Sequence, residues 1–411
     1  AVVGAGTMGA AIAQLAAYQG LKVVLKDIRQ DLVDGGLKRV ESLMQDAVRS
    51  GSLDAAAAKQ RCAAVTGTID WAPVTSADVV IEAVVERLDI KQQVFRELDR
   101  LLRPESLIVS NTSALSIGEL ATATGRAPQV AGLHFFNPVH RMAIVEVVRS
   151  AATGDQTIAT LVDFARDLGK VPIVVAEGPG FLVNRILFPY LDEAVRLVCE
   201  GMPADQIDRE AEDFGMIMGP LETLDHVGLD IAADVARTMA PLGVEASPVP
   251  ERLAAMVAQG RLGTKSGTGF YAYRDGRKQG AVPVSGTSPK APDKPPLFTP
   301  VPFGNGQLRE PQLRLALAII NASAQCLSDK IVNEAWIVDL AMVLGTGFAP
   351  LHGGPLRLAD TWGIDRVVAE LDRLAERCGP RFRPCALLRE MQVAGRKFYE
   401  TARAAAAHSP H

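Results

Sequence analysis

The chain is predicted to be an α/β protein: a doubly wound parallel sheet followed by two duplicated all-α domains. Three observations predict this. Short apolar strands alternate with helical periodicity as far as Ala176; the signals beyond Gly180 are helical; and a pattern in the helical region occurs twice. With 411 residues, 48% apolar and 22% charged, the chain is long enough for two to three domains with cores of their own. Its net charge of -4 gives no footing for nucleic acid or an anionic membrane. No apolar run reaches membrane-spanning length, and no signal or transit segment is visible.

The first element is Ala1-Val2-Val3, directly followed by Gly4-Ala-Gly6-Thr7-Met8-Gly9 and an alanine-rich amphipathic run to Tyr18. Only the tail of a first strand stands before the glycines, so upstream sequence is expected, which leaves targeting and a further N-terminal domain open. A glycine turn between strand and helix lets the backbone approach a pyrophosphate, whose charge is met by the N–H groups and dipole at the helix start. Leu21 to Leu25 reads as the second strand, with Asp27 at its end. That carboxylate can accept from the adenosine ribose hydroxyls and repel a 2′-phosphate. The unit is therefore Rossmann-like and favours NAD over NADP, a preference that the flanking Lys26 and Arg29 blur.

Helical periodicity covers Gln30 to Ser50 and Asp54 to Arg61; an apolar segment follows at Val65 to Ile69, then a buried strand at Asp78 to Val84. A helix from Leu88 to Leu102 leads to the strand Leu107 to Ser110. Ligands on such a sheet bind beyond the carboxyl ends of the strands, which singles out Glu86, Asn111, Ser113 and His134. Each has a plain alternative. Glu86 and Lys91 can be a solvated charge pair at a helix start, and Asn111-Thr112-Ser113 can cap the short helix over Ser116 to Leu120.

Gln129 to Phe135 and Ala143 to Val148 read as two short strands joined by a turn carrying Asn137-Pro138. His134 at the end of one and Glu146 inside the next can meet across neighbouring strands, the minimum for an imidazole base held in one tautomer by an acid. A hydrogen-bonded structural histidine and a solvent-facing glutamate are the commoner meaning of two such residues taken alone. Five scattered cysteines (Cys62, Cys199, Cys326, Cys378, Cys385), without a C-x-x-C or a histidine at ligand spacing, read as free thiols in a reducing compartment; no metal is expected.

The strand Val171 to Ala176 ends the alternation, and Gly178-Pro179-Gly180 marks a boundary. Helices are predicted over Phe181 to Glu200, Pro203 to Phe214, Pro220 to Ala240 and Pro250 to Gln259. Arg274 to Gln307, dense in Pro, Gly, Ser and Lys, reads as a linker. Beyond it Ala359-Asp-Thr-Trp-Gly-Ile-Asp365 repeats Leu224-Asp-His-Val-Gly-Leu-Asp230, and Gly353-Gly-Pro-Leu356 echoes Met218-Gly-Pro-Leu221. The expected domains are residues 1–177, a first helical domain at 178–273, a linker at 274–308 and a second helical domain at 309–411.

Gly4 to Gly9, Glu86 with Lys91, Ser110-Asn-Thr-Ser113 and His134-Phe-Phe-Asn137-Pro138 with Glu146 together resemble the L-3-hydroxyacyl-CoA dehydrogenase family. Gly178-Pro-Gly-Phe-Leu-Val-Asn184-Arg185 and Leu262-Gly-Thr-Lys265-Ser-Gly-Thr-Gly-Phe-Tyr271 extend the resemblance to about Tyr273. It implies oxidation of the 3-hydroxyl of an (S)-3-hydroxyacyl-CoA, with NAD+ taking the hydride. His134 would then be the general base and Glu146 the acid that orients and charge-stabilises it. Ser113 and Asn184 would hydrogen-bond the reacting oxygen and thioester region, and Asn137 would help place nicotinamide and substrate. Met8, Val84, Val85, Glu86, Lys91 and Lys265 fall at positions that contact NAD in the family; Gly4, Gly6, Thr7, Gly9, Asp27 and Asn111 complete the implied cofactor set. Plain alternatives are a helix-start hydrogen bond for Asn184 and a flexible surface cation for Lys265.

The second helical copy resembles that of multifunctional fatty-acid β-oxidation proteins of the bacterial α-subunit type, whose C-terminal signature is similar to Gly345 to Leu358. Leu358 stands where they commonly carry Tyr, so a hydroxyl contact to substrate is lost. This resemblance implies a cytoplasmic role in fatty-acid β-oxidation, with an upstream enoyl-CoA hydratase domain and a thiolase as partners. A stand-alone dehydrogenase of another catabolic pathway is the alternative. A nucleotide-binding protein without turnover, and a β-hydroxyacid dehydrogenase acting without CoA, are the rivals.

Overall fold

The structure is a computed structural model and describes residues 1–239, 247–283, 301–303 and 306–399. Ala1–Phe181 form one compact unit and a second begins at Leu182.

The first unit is an eight-stranded sheet. Its strands are β1 (Val2–Val3), β2 (Val23–Lys26), β3 (Val65–Thr68), β4 (Val79–Glu82), β5 (Leu107–Ser110), β6 (Val130–Phe135), β7 (Ile144–Arg149) and β8 (Val171–Ala176), in the order β3-β2-β1-β4-β5-β6-β7-β8. The helices are α1 (Thr7–Tyr18), α2 (Gln30–Arg49), α3 (Ala55–Ala63), α4 (Leu88–Leu101), α5 (Ile117–Ala121) and α6 (Asp155–Asp167). Neighbours from β1 to β6 run parallel, as expected of strands joined by helical crossovers. The sheet is not parallel throughout: β7 runs antiparallel to β6, and β8 follows β7. The reason is length. Residues 136–143 make only a turn, which can join antiparallel neighbours but cannot cross over. Helix α6, for which the sequence reading assigned no element, supplies the crossover from β7 to β8; Ile158, Leu161 and Ala165 give it a buried stripe at helical spacing.

Two glycines make the first turn. Gly4 has φ +105° and a side chain there would put its Cβ 2.5 Å from the Ala83 carbonyl oxygen; at Gly9 a Cβ would lie 1.8 Å from the Gly4 carbonyl oxygen. Helix α1 is thereby seated against the sheet, with Ala10, Ile12, Ala13 and Ala17 fully buried.

The second unit holds α7 (Val183–Cys199), α8 (Ala204–Phe214), α9 (Pro220–Val227), α10 (Leu229–Met239), α11 (Val249–Ala258), α12 (Glu310–Ser328), α13 (Ala335–Thr346), α14 (Pro355–Trp362), α15 (Ile364–Cys378) and α16 (Ala386–Ala394). The stretch predicted as one helix from Pro220 to Ala240 is α9 and α10, broken at Gly228, whose φ is +98°; Ala240 lies outside the described residues. The predicted linker opens with structure of its own. Strand β9 (Tyr271–Arg274) pairs antiparallel with β10 (Arg277–Ala281), and β11 (Val301–Phe303) with β12 (Gly306–Leu308). Residues 284–300, including Pro289 to Pro296, and residues 304–305 lie outside the described residues.

The duplication is visible in hydrogen bonds. Asp208 on α8 accepts from the N–H groups of Leu221 (2.8 Å) and Glu222 (3.0 Å) at the start of α9 and from Tyr271 Oη (2.8 Å). Asp339 on α13 accepts likewise from Leu356 N (2.8 Å) and Arg357 N (3.1 Å) of α14 and from Tyr399 Oη (2.6 Å). Asp225 takes the N–H groups of Phe270 and Tyr271, and Asp360 those of Phe398 and Tyr399. A carboxylate that collects the unpaired N–H groups of a helix start is the same stabilising device in both copies.

The copies meet along α7 and α12. Arg185 near the head of α7 pairs with Asp329 at the tail of α12, and Arg314 near the head of α12 pairs with Glu200 at the tail of α7 (2.6 and 2.7 Å). Glu193 of α7 is fully buried between Arg314 and Arg381.

Candidate active site

The site begins with strand register. Within the antiparallel ladder His134 of β6 lies directly opposite Glu146 of β7, and facing residues on one side of such a pair are within side-chain reach. Nδ1 of His134 is 2.6 Å from Glu146 Oε2, with His134 3% and Glu146 0% exposed. As a carboxylate Glu146 only accepts, so Nδ1 carries the proton and Nε2 presents its lone pair. Ser113 Oγ, 3.1 Å from Nε2, therefore donates to it. The rings of Phe136 and Phe181 wall the imidazole at centroid distances of 4.6 and 5.6 Å.

Ser113 is held from behind. Its N–H donates to Glu86 Oε1 (3.1 Å), which also accepts from Thr112 Oγ1. Glu86 Oε2 is 3.2 Å from Lys91 Nζ, and Lys91, only 1% exposed, also donates to Glu82 Oε1 (2.8 Å) and Oε2 (3.0 Å). Glu82 further accepts from Val84 N (2.7 Å) and Ser110 Oγ (2.6 Å). Asn111 ties the ends of β5 and β6 together: its Oδ1 accepts from Phe135 N at 2.9 Å. The turn carrying exposed Asn137 is fastened by the buried Lys170, whose Nζ donates to the carbonyls of Val139 (2.6 Å) and Met142 (2.7 Å). Burial depresses the Lys170 ammonium below its ordinary range.

At the carboxyl end of β1, the neighbour of β4, the glycine turn fits a dinucleotide. A Cβ at Gly6 would meet nothing within 4 Å, so the backbone is open to a bulky anion at the head of α1. Asp27 Oδ2 accepts from Ala5 N (2.6 Å) and Oδ1 from Ile28 N (2.7 Å), leaving lone pairs on both oxygens for ribose hydroxyls. Ile28 and Val85, 79% and 60% exposed, offer apolar surface to flat rings at the ends of β2 and β4.

Of the residues selected from sequence, the structure gathers Ser113, Glu86, Asn111, His134 and Glu146 at the carboxyl ends of β4, β5 and β6 and at β7. Gly4, Gly6, Thr7, Met8, Gly9 and Asp27 form the β1–α1 turn and the end of β2, and Val84 and Val85 follow β4. Lys91 lies behind Glu86 rather than in the open. Asn184, in the first turn of α7, and Lys265, paired with Asp230, belong to the second unit. Leu358 is buried in α14 at 2% exposure, an apolar core position. Glu82, Thr112 and Lys170 were not singled out from sequence, although an acid inside the apolar run of β4 signals a buried partner. Among the described residues no group of three His, Cys, Asp or Glu side chains is placed to hold a metal ion, and no helix is long and apolar enough to cross a membrane.

Comparison with known proteins matches this arrangement. Residues 1–178 match the model of the 3-hydroxyacyl-CoA dehydrogenase NAD-binding domain, and residues 180–273 and 313–407 that of the C-terminal domain of the same family. The chain is similar to the crystal structure of 3-hydroxybutyryl-CoA dehydrogenase from Escherichia coli K12, with TM-score 0.82 and 27% identity over 96% of this chain and 98% of that one. It is similar also to (S)-3-hydroxybutyryl-CoA dehydrogenase PaaH1 from Ralstonia eutropha, with TM-score 0.62 and 37% identity over 67% and 98%. The dehydrogenase part of multifunctional enzyme 1 from C. elegans shares the fold, at TM-score 0.67 and 24% identity over 95% and 88%. The glycine turn, the strand-end cluster and two matched domain models lead to one conclusion: the chain belongs to the NAD-dependent 3-hydroxyacyl-CoA dehydrogenase family.

Proposed function

We propose that the protein oxidises (S)-3-hydroxyacyl-CoA to 3-ketoacyl-CoA, with His134 as general base and Glu146 as its orienting acid. The observation that carries this reading is the buried cross-strand pair of His134 and Glu146, with Ser113 on the free face of the ring. The substrate hydroxyl takes the place of, or shares, the Ser113 hydrogen bond and gives its proton to Nε2; Glu146, already bonded to Nδ1–H, then faces an imidazolium and stabilises it. NAD+, when bound, supplies the acceptor for the hydride leaving the same carbon. Ser113, freed from Nε2 by the transferred proton, donates to the developing carbonyl oxygen. Asn137 helps place nicotinamide and substrate, while Gly4, Gly6, Thr7, Met8, Gly9, Asp27, Val84, Val85, Glu86 and Asn111 serve the cofactor; Lys91 serves it from behind Glu86.

A four-carbon acyl group is the proposed first substrate, supported by the names of the Escherichia coli and Ralstonia neighbours. A role in fatty-acid β-oxidation, in the cytoplasm, is the proposed setting. A multifunctional setting with an enoyl-CoA hydratase domain and a thiolase partner is one proposed context, and a stand-alone dehydrogenase of another catabolic pathway is the second reading. The test is NADH-linked reduction of acetoacetyl-CoA by the purified protein. Turnover that His134→Ala reduces by about 10² to 10⁴ supports the reading. No NADH oxidation, or an unchanged rate in the variant, refutes it, and equal turnover of free acetoacetate removes the CoA requirement.

A further inference from the structure

We infer that Glu82, acting through Lys91, sets the net charge next to the nicotinamide ring and thereby the preference of the site for NAD+ over NADH. The inference rests on the dehydrogenase reading above. Two carboxylates, Glu82 and Glu86, share one ammonium: Lys91 Nζ is 2.8 and 3.0 Å from the oxygens of Glu82 and 3.2 Å from Glu86 Oε2. Glu82 is 0% and Lys91 1% exposed, so water and salt screen these two charges little, while Glu86, 46% exposed at its side chain, is the member of the group that faces the open site. The three together carry a charge of about -1. The adjoining Arg87 and Asp89 pair with one another and cancel.

That charge is close to the chemistry. Glu86 holds the N–H of Ser113, and Ser113 holds His134 Nε2. Hydride transfer requires the accepting ring to lie against the carbon whose hydroxyl meets His134, so the ring feels the charge that Glu86 presents. The oxidised ring is a cation and the reduced ring is neutral. A net negative group therefore binds NAD+ more tightly than the same site without it, and has little effect on NADH. Glu82 is a positioning and charge-setting residue, not a catalytic one: it decides how much of the Glu86 charge Lys91 leaves uncompensated.

The full chain, with Glu82→Gln, Lys91→Gln and both together, gives a ladder in which the group carries about -1 in wild type, about 0 in Glu82→Gln and about -1 in the double variant; Lys91→Gln lies between about -1 and -2, since the buried carboxyl takes up a proton in part once its cation is gone. Dissociation constants for NAD+ by calorimetry and for NADH by fluorescence give the ratio Kd(NAD+)/Kd(NADH) for each. The ratio is expected to rise about five- to tenfold in Glu82→Gln, to fall in Lys91→Gln by a smaller factor of about two or more, and to return to within about twofold of wild type in the double variant. A flat ratio, or one that moves the same way in both single variants, overturns the inference and leaves the group a purely structural support. If Glu82→Gln does not fold, as judged by circular dichroism, Lys91→Gln and the double variant decide the matter. Wild-type protein that binds neither form would overturn the dehydrogenase reading itself.

Discussion

At His134 each hydrogen bond fixes the direction of the next. Glu146 can only accept, Nδ1 must donate to it, and Nε2 is left as the base. Glu146→Gln keeps the shape and removes the charge that would face the imidazolium, so kcat for acetoacetyl-CoA reduction is expected to drop about 10²-fold, equivalent to ~2.7 kcal/mol. Affinity for NADH should stay within about twofold, and an unchanged kcat would show that the carboxylate does no more than hold the ring. The gathering of Ser113, Glu86, Asn111 and His134 was legible in the sequence because each stands at or just beyond the carboxyl end of a strand of an open α/β sheet, and position alone marks it. Glu82 and Lys170 were not. Which way Lys91 leaves α4, and which carbonyls the turn 138–142 turns inward, depend on packing that no periodicity encodes.

Among the elements, the turn between β6 and β7 depends on one buried cation. Lys170→Met leaves the carbonyls of Val139 and Met142 without their donor. A cost of about 1–3 kcal/mol per unsatisfied group is expected in urea unfolding, with KM for the acyl-CoA raised about tenfold; Lys170→Arg should recover some of both losses. In the second copy, Tyr399→Phe removes a hydrogen bond to the Asp339 carboxylate and is expected to cost about 1.5–3 kcal/mol, while kcat stays as in wild type. An equal kcat loss would mean that this copy reaches the chemistry. Most strands and helices sit within a few residues of where their periodicity placed them, β5 and β8 at the same residues. The exceptions have local causes. Gly228 stops α9 with a backbone angle that a continuous apolar stripe hides, and the reversal of β7 follows from the length of a turn, not from any residue pattern.

Across the second unit the two helical copies are joined by buried charge. Burial alone would raise the Glu193 carboxyl, but the guanidiniums of Arg314 and Arg381 overcome it and hold the group at about 2, against an ordinary 4.5. A depressed folded value stabilises the fold above the unfolded one and loses that contribution as pH falls towards the folded one. Wild type is therefore expected to be more stable than Glu193→Gln at pH 7, with the gap in urea midpoint closing between about pH 4.5 and 2. A gap independent of pH would mean that the variant loses packing and not charge. The duplication was readable in two short motifs; the crossing of α7 and α12 was not, because Arg185 with Asp329 and Arg314 with Glu200 are partners far apart in sequence.

The facing register of β6 and β7 reaches beyond the chemistry. Side chains alternate between the two sides of a sheet, so sliding either strand by one position would carry His134 and Glu146 to opposite surfaces at once. Partial credit is not available to a mispaired molecule. Catalytic yield after renaturation from urea should therefore count, molecule by molecule, the fraction that has paired these two strands correctly, even where circular dichroism reports full recovery.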